Sequence, residues 1–165
     1  MLTERLTLRR PEEGDVDAIL RIHSDRLACE HNPSDMITVR AEAVDRCRRW
    51  RAHWERHGFG YWVVCRHGSS RVIGFCGLKA MRLHEAPVLN LFYRFEPAVW
   101  GQGLAGEAVA AVMAAAPGEP PVIARIRPAN IGSARVAMRA GLRRAEHLDT
   151  LGEDGLDWVF TSATL

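Results

Sequence analysis

Three β-rich apolar runs follow one another between Tyr61 and Phe95 with no helical pattern between them. Tyr61 to Cys65 and Val72 to Leu78 are joined by a short polar turn at His67 to Ser70, which reads as an antiparallel hairpin. Val88 to Phe95 follows and is stopped by Pro97. On either side the period changes. Arg5 to Arg10 alternates as a strand, with Leu6 and Leu8 facing one way. Glu12 to Asp25 carries Val16, Ile19, Leu20 and His23 at helical spacing, and Asn32 to Asp35 breaks the chain around Pro33. A second helix is expected from Arg40 to Arg56, with Val44, Cys47, Trp50 and Trp54 on one face and Gly58 after its end. Downstream, a helix over Leu104–Ala116 is followed by the breaker Pro117 to Pro121, a strand over Val122–Ile126 and a short helix over Ile131–Ala140 closed by Gly141. The last strands are expected at Leu142–Leu148 and Leu156–Phe160, parted by Gly152 to Gly155. Consecutive strands followed by alternation with helices place the chain in the α+β class, as one domain over residues 1–165 with a mixed sheet.

Composition narrows the class further. With 47% hydrophobic and 25% charged residues, the 165-residue chain matches an ordinary soluble domain and not a disordered or fibrous one. The longest apolar run, Ala108 to Ala116, falls far short of the roughly 20 residues that span a bilayer. The N-terminus alternates charged and apolar residues, so no signal peptide is read and a cytoplasmic protein is expected, with no membrane partner. The net charge of +2 is too small to imply nucleic acid. Cys29, Cys47, Cys65 and Cys76 form no CxxC pair, so a zinc site has no framework and no metal is expected. His23 reads as a helix-face residue.

The chemistry concentrates between Phe95 and Ala108, where a strand ends, a glycine-rich turn follows and an apolar helix begins. The first N–H groups of a helix have no intrahelical partner, and glycines let backbone approach a ligand closely. Together they form an anion site of the kind that takes phosphate. The helix dipole contributes only about 0.3–1 kcal/mol, whereas micromolar binding needs about 8 kcal/mol, so this turn orients a cofactor whose affinity comes from elsewhere. Gly101, Gly103 and Gly106 spell GxGxxG, the dinucleotide pattern. Pro97 and Trp100 separate the glycines from the strand, however, and the next strand ends in Arg125 and Arg127 instead of an acid. An NADP-binding oxidoreductase survives only on those arginines, and the preceding hairpin argues against a βαβ unit. No Gly-Lys-Ser/Thr is present for a Walker loop.

The whole pattern resembles the GNAT superfamily of N-acyltransferases, in its RimJ/RimL-type branch. Trp100-Gly101-Gln102-Gly103-Leu104-Ala105, followed by Glu107-Ala108, is similar to the superfamily's pyrophosphate motif as that branch writes it. Gly60 to Val64 with Val72 to Leu78 resembles the central hairpin. Asn130-Ile131-Gly132-Ser133 resembles the Asn-x-x-Ser segment, and Met138 to Leu142 the helix end that follows it. The resemblance runs from about Glu4 to Phe160. It implies a mostly antiparallel central sheet flanked by helices, with the fourth and fifth strands splayed, and acetyl-CoA as cosubstrate for direct transfer to an amine. The pantetheine arm would meet backbone groups at Tyr93, Arg94 and Phe95, with Asn130 and Ser133 on the other side. The pyrophosphate would meet Gln102, Gly103, Leu104, Ala105 and Gly106. Arg139 and Arg143 are candidates for the adenosine phosphates, against a solvated helix face. The branch leaves a homodimer open.

Transfer needs a neutral amine, a held carbonyl and a proton for the leaving thiolate. The family often supplies that proton from a tyrosine in the helix after Asn130. None stands there, so Ser133 is the candidate donor, with helix capping as its alternative role. The family's glutamate base falls on Asn90, which cannot take a proton; His84 and Glu85 in the preceding loop are alternatives. Lack of a carboxylate favours an acceptor of low pKa, an α-amine over a lysine side chain. Trp50, Trp54, Phe59, Trp62 and Phe75 are candidates for an acceptor pocket or plain core, and the loop from Cys29 to Thr38 for acceptor choice. A non-catalytic acyl-CoA-binding module on the same fold is the competing class.

Overall fold

One mixed eight-stranded sheet organises the chain in the computed structural model, which describes residues 1–163. The strands are β1 (Leu6–Arg9), β2 (Tyr61–Arg66), β3 (Val72–Leu83), β4 (Ala86–Phe95), β5 (Val122–Ile126), β6 (Arg143–Arg144), β7 (Thr150–Gly152) and β8 (Gly155–Thr161). Their order is β1-β2-β3-β4-β5-β8-β6, with β7 paired to β8. Every pairing is antiparallel except β4 with β5. The helices are α1 (Val16–His23), α2 (Arg40–His57), α3 (Leu104–Ala114) and α4 (Ile131–Arg139). No helix among the described residues is long and apolar enough to cross a membrane.

Alternation along the strands sends side chains to two cores. Toward α3 and α4 lie Leu78, Leu89, Leu91, Phe95, Val122, Ala124 and Ile126 with Leu104, Val109 and Ala137. Toward α1 and α2 lie Val63, Phe75, Ile19, Ile22, Ala43 and Cys47. Each fully buried large apolar side chain contributes about 1.5–3 kcal/mol. The stripe of α2 differs by one position from the expected one. Ala43 is buried and Val44 is exposed, because Cys47 and Trp54 continue an i, i+4 row from residue 43 and not from 44.

Two further expectations are corrected. The strand over Leu142–Leu148 is only Arg143–Arg144, followed by a 3-10 turn at Glu146–Leu148. The Asp149 carboxylate draws the chain off the ladder, accepting from the Val159 N–H at 3.0 Å and from Arg144 at 2.5 Å. β7 lacks any apolar alternation and Leu151 is 80% exposed, so no period announced it. The hairpin before the glycine turn also fails to exclude a βαβ unit. β4 belongs to both, pairing antiparallel with β3 and parallel with β5 through α3.

Candidate active site

The parallel pairing of β4 with β5 stops after two residues, Leu89 with Val122 and Asn90 with Ile123. Beyond that point the strands part, and a gap opens between their C-terminal ends. Parity decides what faces it. In an antiparallel ladder, residues alternate in the side to which they turn their main-chain groups. The Leu89 N–H donates toward β5, to Pro121, and the Glu96 N–H donates toward β3, to Ile73. Odd residues of β4 therefore turn N–H and C=O into the gap. Tyr93 and Phe95 do so, and the Phe95 carbonyl accepts from Trp100 Nε1 at 2.9 Å. Arg94 does not join them. Its main chain belongs to the β3 ladder, opposite Phe75, and its buried guanidinium reaches Asp35 at 2.7 Å on the other face of the sheet.

At the open end of the gap stands the glycine turn. Gly101 and Gly103 take φ of 75° and 76°, the left-handed region where a side chain costs about 1–2 kcal/mol. Gly103 is the residue before α3, and the first-turn N–H groups of Leu104, Ala105 and Gly106 have no intrahelical partner. Gly106 has open space where a Cβ would stand. The turn is tied from outside. Arg5 donates to the Gln102 carbonyl at 2.9 Å and to Glu107 at 2.6 Å, and Arg66 donates to the Gln102 side chain. Burial alone would raise the Glu107 pKa. Hydrogen bonds from Thr3 and from the N–H and guanidinium of Arg5 outweigh it and hold Glu107 below its ordinary value. Neither arginine of this clamp carries a sequence signal, because both are distant in the chain, Arg5 just before β1 and Arg66 at the end of β2.

The far wall of the gap is α4. Asn130, and not Ser133, caps this helix, its Oδ1 accepting from the Ser133 N–H at 3.0 Å. The Ser133 hydroxyl makes no hydrogen bond among the described residues, while its carbonyl accepts from the Tyr93 hydroxyl at 3.3 Å. The tyrosine missing from α4 is thus answered by one that reaches the same helix from β4. Burial keeps the Tyr93 phenol protonated, well above the usual tyrosine range, with the bond to Ser133 pulling the other way. Arg139 and Arg143 are exposed, the first on α4 and the second in β6.

On the α1/α2 face the gap opens into a pocket of about 940 Å³. Even residues of β4, Asn90, Phe92 and Arg94, line it, together with Tyr61, Trp50 and His23. Of the five aromatic candidates only Trp50 is there. Trp54 is core, its Nε1 donating to the Tyr61 carbonyl at 2.8 Å, and Phe75 is fully buried. From the loop expected to bear on acceptor choice, Asn32 and Asp35 reach the pocket, and His31 lies in a smaller cleft beside Pro33 and Arg127. The β7–β8 hairpin closes the opposite side, where Ser34 donates to Asp154 from its N–H at 3.0 Å and its hydroxyl at 2.7 Å. Basic residues in the lining are Arg46, Arg49, Lys79, Arg94, Arg125 and Arg127; acidic ones are Asp35, Glu153, Asp154 and Asp157.

His23 is more than a helix-face residue. It is fully buried, edge-on to Trp50 and stacked near Phe92, and its Nδ1 lies 3.0 Å from the Ile19 carbonyl. That contact makes Nδ1 the protonated nitrogen and leaves Nε2 a lone pair without a partner. Burial first, then Arg94 and Arg46, hold its pKa well below the ordinary histidine value. Asn90 Oδ1 is a second buried acceptor with no partner. Burial, with Asp35 adding, raises the neighbouring Tyr61 phenol as well. No carboxylate stands at residue 90. His84 and Glu85 cannot replace one, for they form the two-residue turn between Leu83 and Ala86. That turn lies five residues from Asn90 along β4, or about 16 Å at the strand rise.

Comparison with known proteins decides the family. The pattern of the acetyltransferase (GNAT) domain matches residues 5–143. The chain belongs to the GNAT acetyltransferase family. Over 152 residues it is 25% identical to the uncharacterized protein YkkB of Bacillus subtilis, covering 86% of this chain and 84% of that one. Among solved structures it is similar to an acetyltransferase from Agrobacterium tumefaciens, with TM-score 0.81, 23% identity and coverage of 99% and 94%. It is also similar in fold to RimL, the ribosomal L7/L12 α-N-protein acetyltransferase, solved with coenzyme A, at TM-score 0.77 and 17% identity over 98% and 95% of the two chains. AAC(6')-Ib, solved with ribostamycin and coenzyme A, gives TM-score 0.77 and 15% identity over 97% and 94%. The family is one of transferases and not of NADP oxidoreductases, and GNAT neighbours hold CoA or acetyl-CoA.

Proposed function

We propose that this GNAT chain transfers an acetyl group from acetyl-CoA directly to a primary amine. One observation carries the reading: the main-chain edge of β4 at Tyr93 and Phe95 has no strand beside it, only the Trp100 indole on the Phe95 carbonyl, and it lies next to a glycine turn at a helix N-terminus. An arm rich in amides can lie along that edge where a strand would, bonded to Tyr93 and Phe95 as an added strand is. The N–H groups from Gln102 to Gly106 then face the pyrophosphate. Asn130 spends its Oδ1 on capping, which leaves its –NH2 to donate to an arm carbonyl. Acetyl-CoA supplies the acyl group as a thioester.

The chain's own residues set the rest. As the amine nitrogen bonds to the carbonyl carbon, the carbon–sulfur bond breaks; the nitrogen sheds one proton and the sulfur gains one. The Ser133 hydroxyl, without a hydrogen-bond partner among the described residues, gives the proton to the sulfur and is reprotonated from solvent water, which also takes the proton that the nitrogen sheds. The Tyr93 hydroxyl fixes the Ser133 peptide in place. Asn90 takes no proton, so it positions the amine and the amine enters neutral. An α-amine of pKa about 7.7–8.0 meets that demand better than a lysine near 10.4. Acceptor-dependent release of free thiol from acetyl-CoA tests this proposal. Equal turnover of a lysine side-chain amine and a matched α-amine would sink the preference, and no thiol release with any amine would sink the transfer.

Asparagine at position 90 favours one other reading, a non-catalytic acyl-CoA-binding module. Tight CoA binding without thiol release from any acceptor would decide for it.

A further inference from the structure

The acceptor pocket holds more positive charge than it pairs. Arg46 and Arg94 share Asp35, and Arg127 faces Asp157. The side chains of Arg125, Arg49 and Lys79 have no hydrogen-bond or ion-pair partner among the described residues. Sheet register singles out Arg125. Ile123 pairs with Asn90, so two residues further on Arg125 stands level with Phe92 on the same face, across the gap. The pocket lining also contains the two orphan acceptors, Asn90 Oδ1 and His23 Nε2, each in want of an N–H donor. Trp50, Tyr61 and Phe92 form an aromatic wall beside them, with Trp50 edge-on to Tyr61 at 5.3 Å and Tyr61 5.0 Å from Phe92.

We propose that the amine acceptor is a free amino acid with an apolar side chain, its carboxylate seated on Arg125, its amine at the gap beside Asn90 and Phe92, and its side chain on the wall of Trp50, Tyr61 and Phe92. This rests on the transferase reading above. A guanidinium fork matches a carboxylate with two parallel hydrogen bonds. The same charge solves the missing base. A cation-rich, half-closed site disfavours an ammonium and favours the neutral amine that attack requires. The protein's own imidazole shows the effect, since Arg94 and Arg46 add to burial in keeping His23 unprotonated. Pairing the carboxylate with Arg125 also removes the negative charge that would hold a proton on the adjacent nitrogen. Acceptors with several ammonium groups meet the opposite: repulsion from Arg49, Lys79 and Arg125.

The test compares L-phenylalanine, L-phenylalaninamide, a phenylalanine-initiated dipeptide and spermidine as acceptors, following thiol release from acetyl-CoA with the wild-type chain and with Arg125→Gln. The expected result is a kcat/KM at least tenfold higher for the amino acid than for its amide, with that ratio falling toward one in Arg125→Gln. A second variant, Arg125→Lys, keeps the charge without the fork and is expected to retain part of the preference. Equal use of acid and amide, or better use of the dipeptide or of spermidine, would overturn the inference and leave the transferase reading standing. No thiol release with any amine would remove both.

Discussion

β4 divides two regions that differ in kind. Its odd-numbered side faces α3 and α4 and offers main-chain groups, a glycine turn, one free hydroxyl and an apolar core. Its even-numbered side faces α1 and α2 and offers arginines, aromatic rings and two orphan acceptors. The difference teaches how one fold serves many acceptors. In the proposed reading the cosubstrate is met by backbone, which side-chain substitution barely alters. The acceptor is met by side chains drawn from α2, β2, β4, β5 and the β7–β8 hairpin, which can change one by one.

The comparison can be broken from either side, and the largest effect is expected on the acceptor side. Arg94→Met removes a buried cation from Asp35, which keeps Arg46, and is expected to lower stability by about 2 kcal/mol in urea unfolding. CoA affinity should hardly change, because the Arg94 main chain stays in the β3 ladder; a loss of CoA affinity equal to the loss of stability would erase the boundary between the regions. On the other side, Gly103→Val forces a β-branched residue to φ of 76° at about 1–2 kcal/mol. Calorimetry should then find the CoA Kd raised about tenfold or more, and an unchanged Kd would remove this turn from the site. Ser133→Ala is expected to lower kcat about tenfold while the CoA Kd holds, since the leaving thiol is a weak enough base to depart with modest help.

His23 gives the next effect, and its sign is fixed by the direction of its shift. Its folded pKa is depressed, so the unfolded chain binds the extra proton first. Stability is therefore full above about pH 6.5 and declines as pH falls below it, by up to about 1.4 kcal/mol per pH unit. His23→Phe should flatten that part of the pH–stability curve, and an unchanged slope would show that other groups set it. The smallest effect is expected from Glu107→Gln, which weakens the clamp to Arg5 and Thr3 by about 1 kcal/mol. Glu107 too has a depressed pKa, so its contribution is present above about pH 4.5 and fades as the pH drops through its folded value.

The same division governs what could be read in the sequence. The turn from Trp100 to Gly106 is contiguous, and its glycines, the following apolar helix and the Asn130 to Ser133 segment are local patterns, so the odd-numbered side was legible before any coordinate. Its supports were not: Arg5 comes from the bend before β1 and Arg66 from β2, and the Tyr93 hydroxyl reaches Ser133 across forty residues of chain. On the acceptor side sequence reasoning failed more often. Arg94 is expected with Tyr93 and Phe95 among the cofactor contacts, yet one step along a strand reverses both its side chain and its main-chain groups. His23 shows the helical period of a core residue, and only the fold reveals that its Nε2 is orphaned beside a pocket. β7 and the turn at Asp149 follow from a carboxylate's hydrogen bonds and have no period to detect.

Amide hydrogen exchange with and without coenzyme A tests the central claim most directly, because it reads main-chain groups. The account predicts new protection at Tyr93, Phe95 and the N–H groups from Gln102 to Gly106, with α1 and α2 unchanged. Protection on the α1/α2 face with none at Tyr93 or along the glycine turn would contradict it.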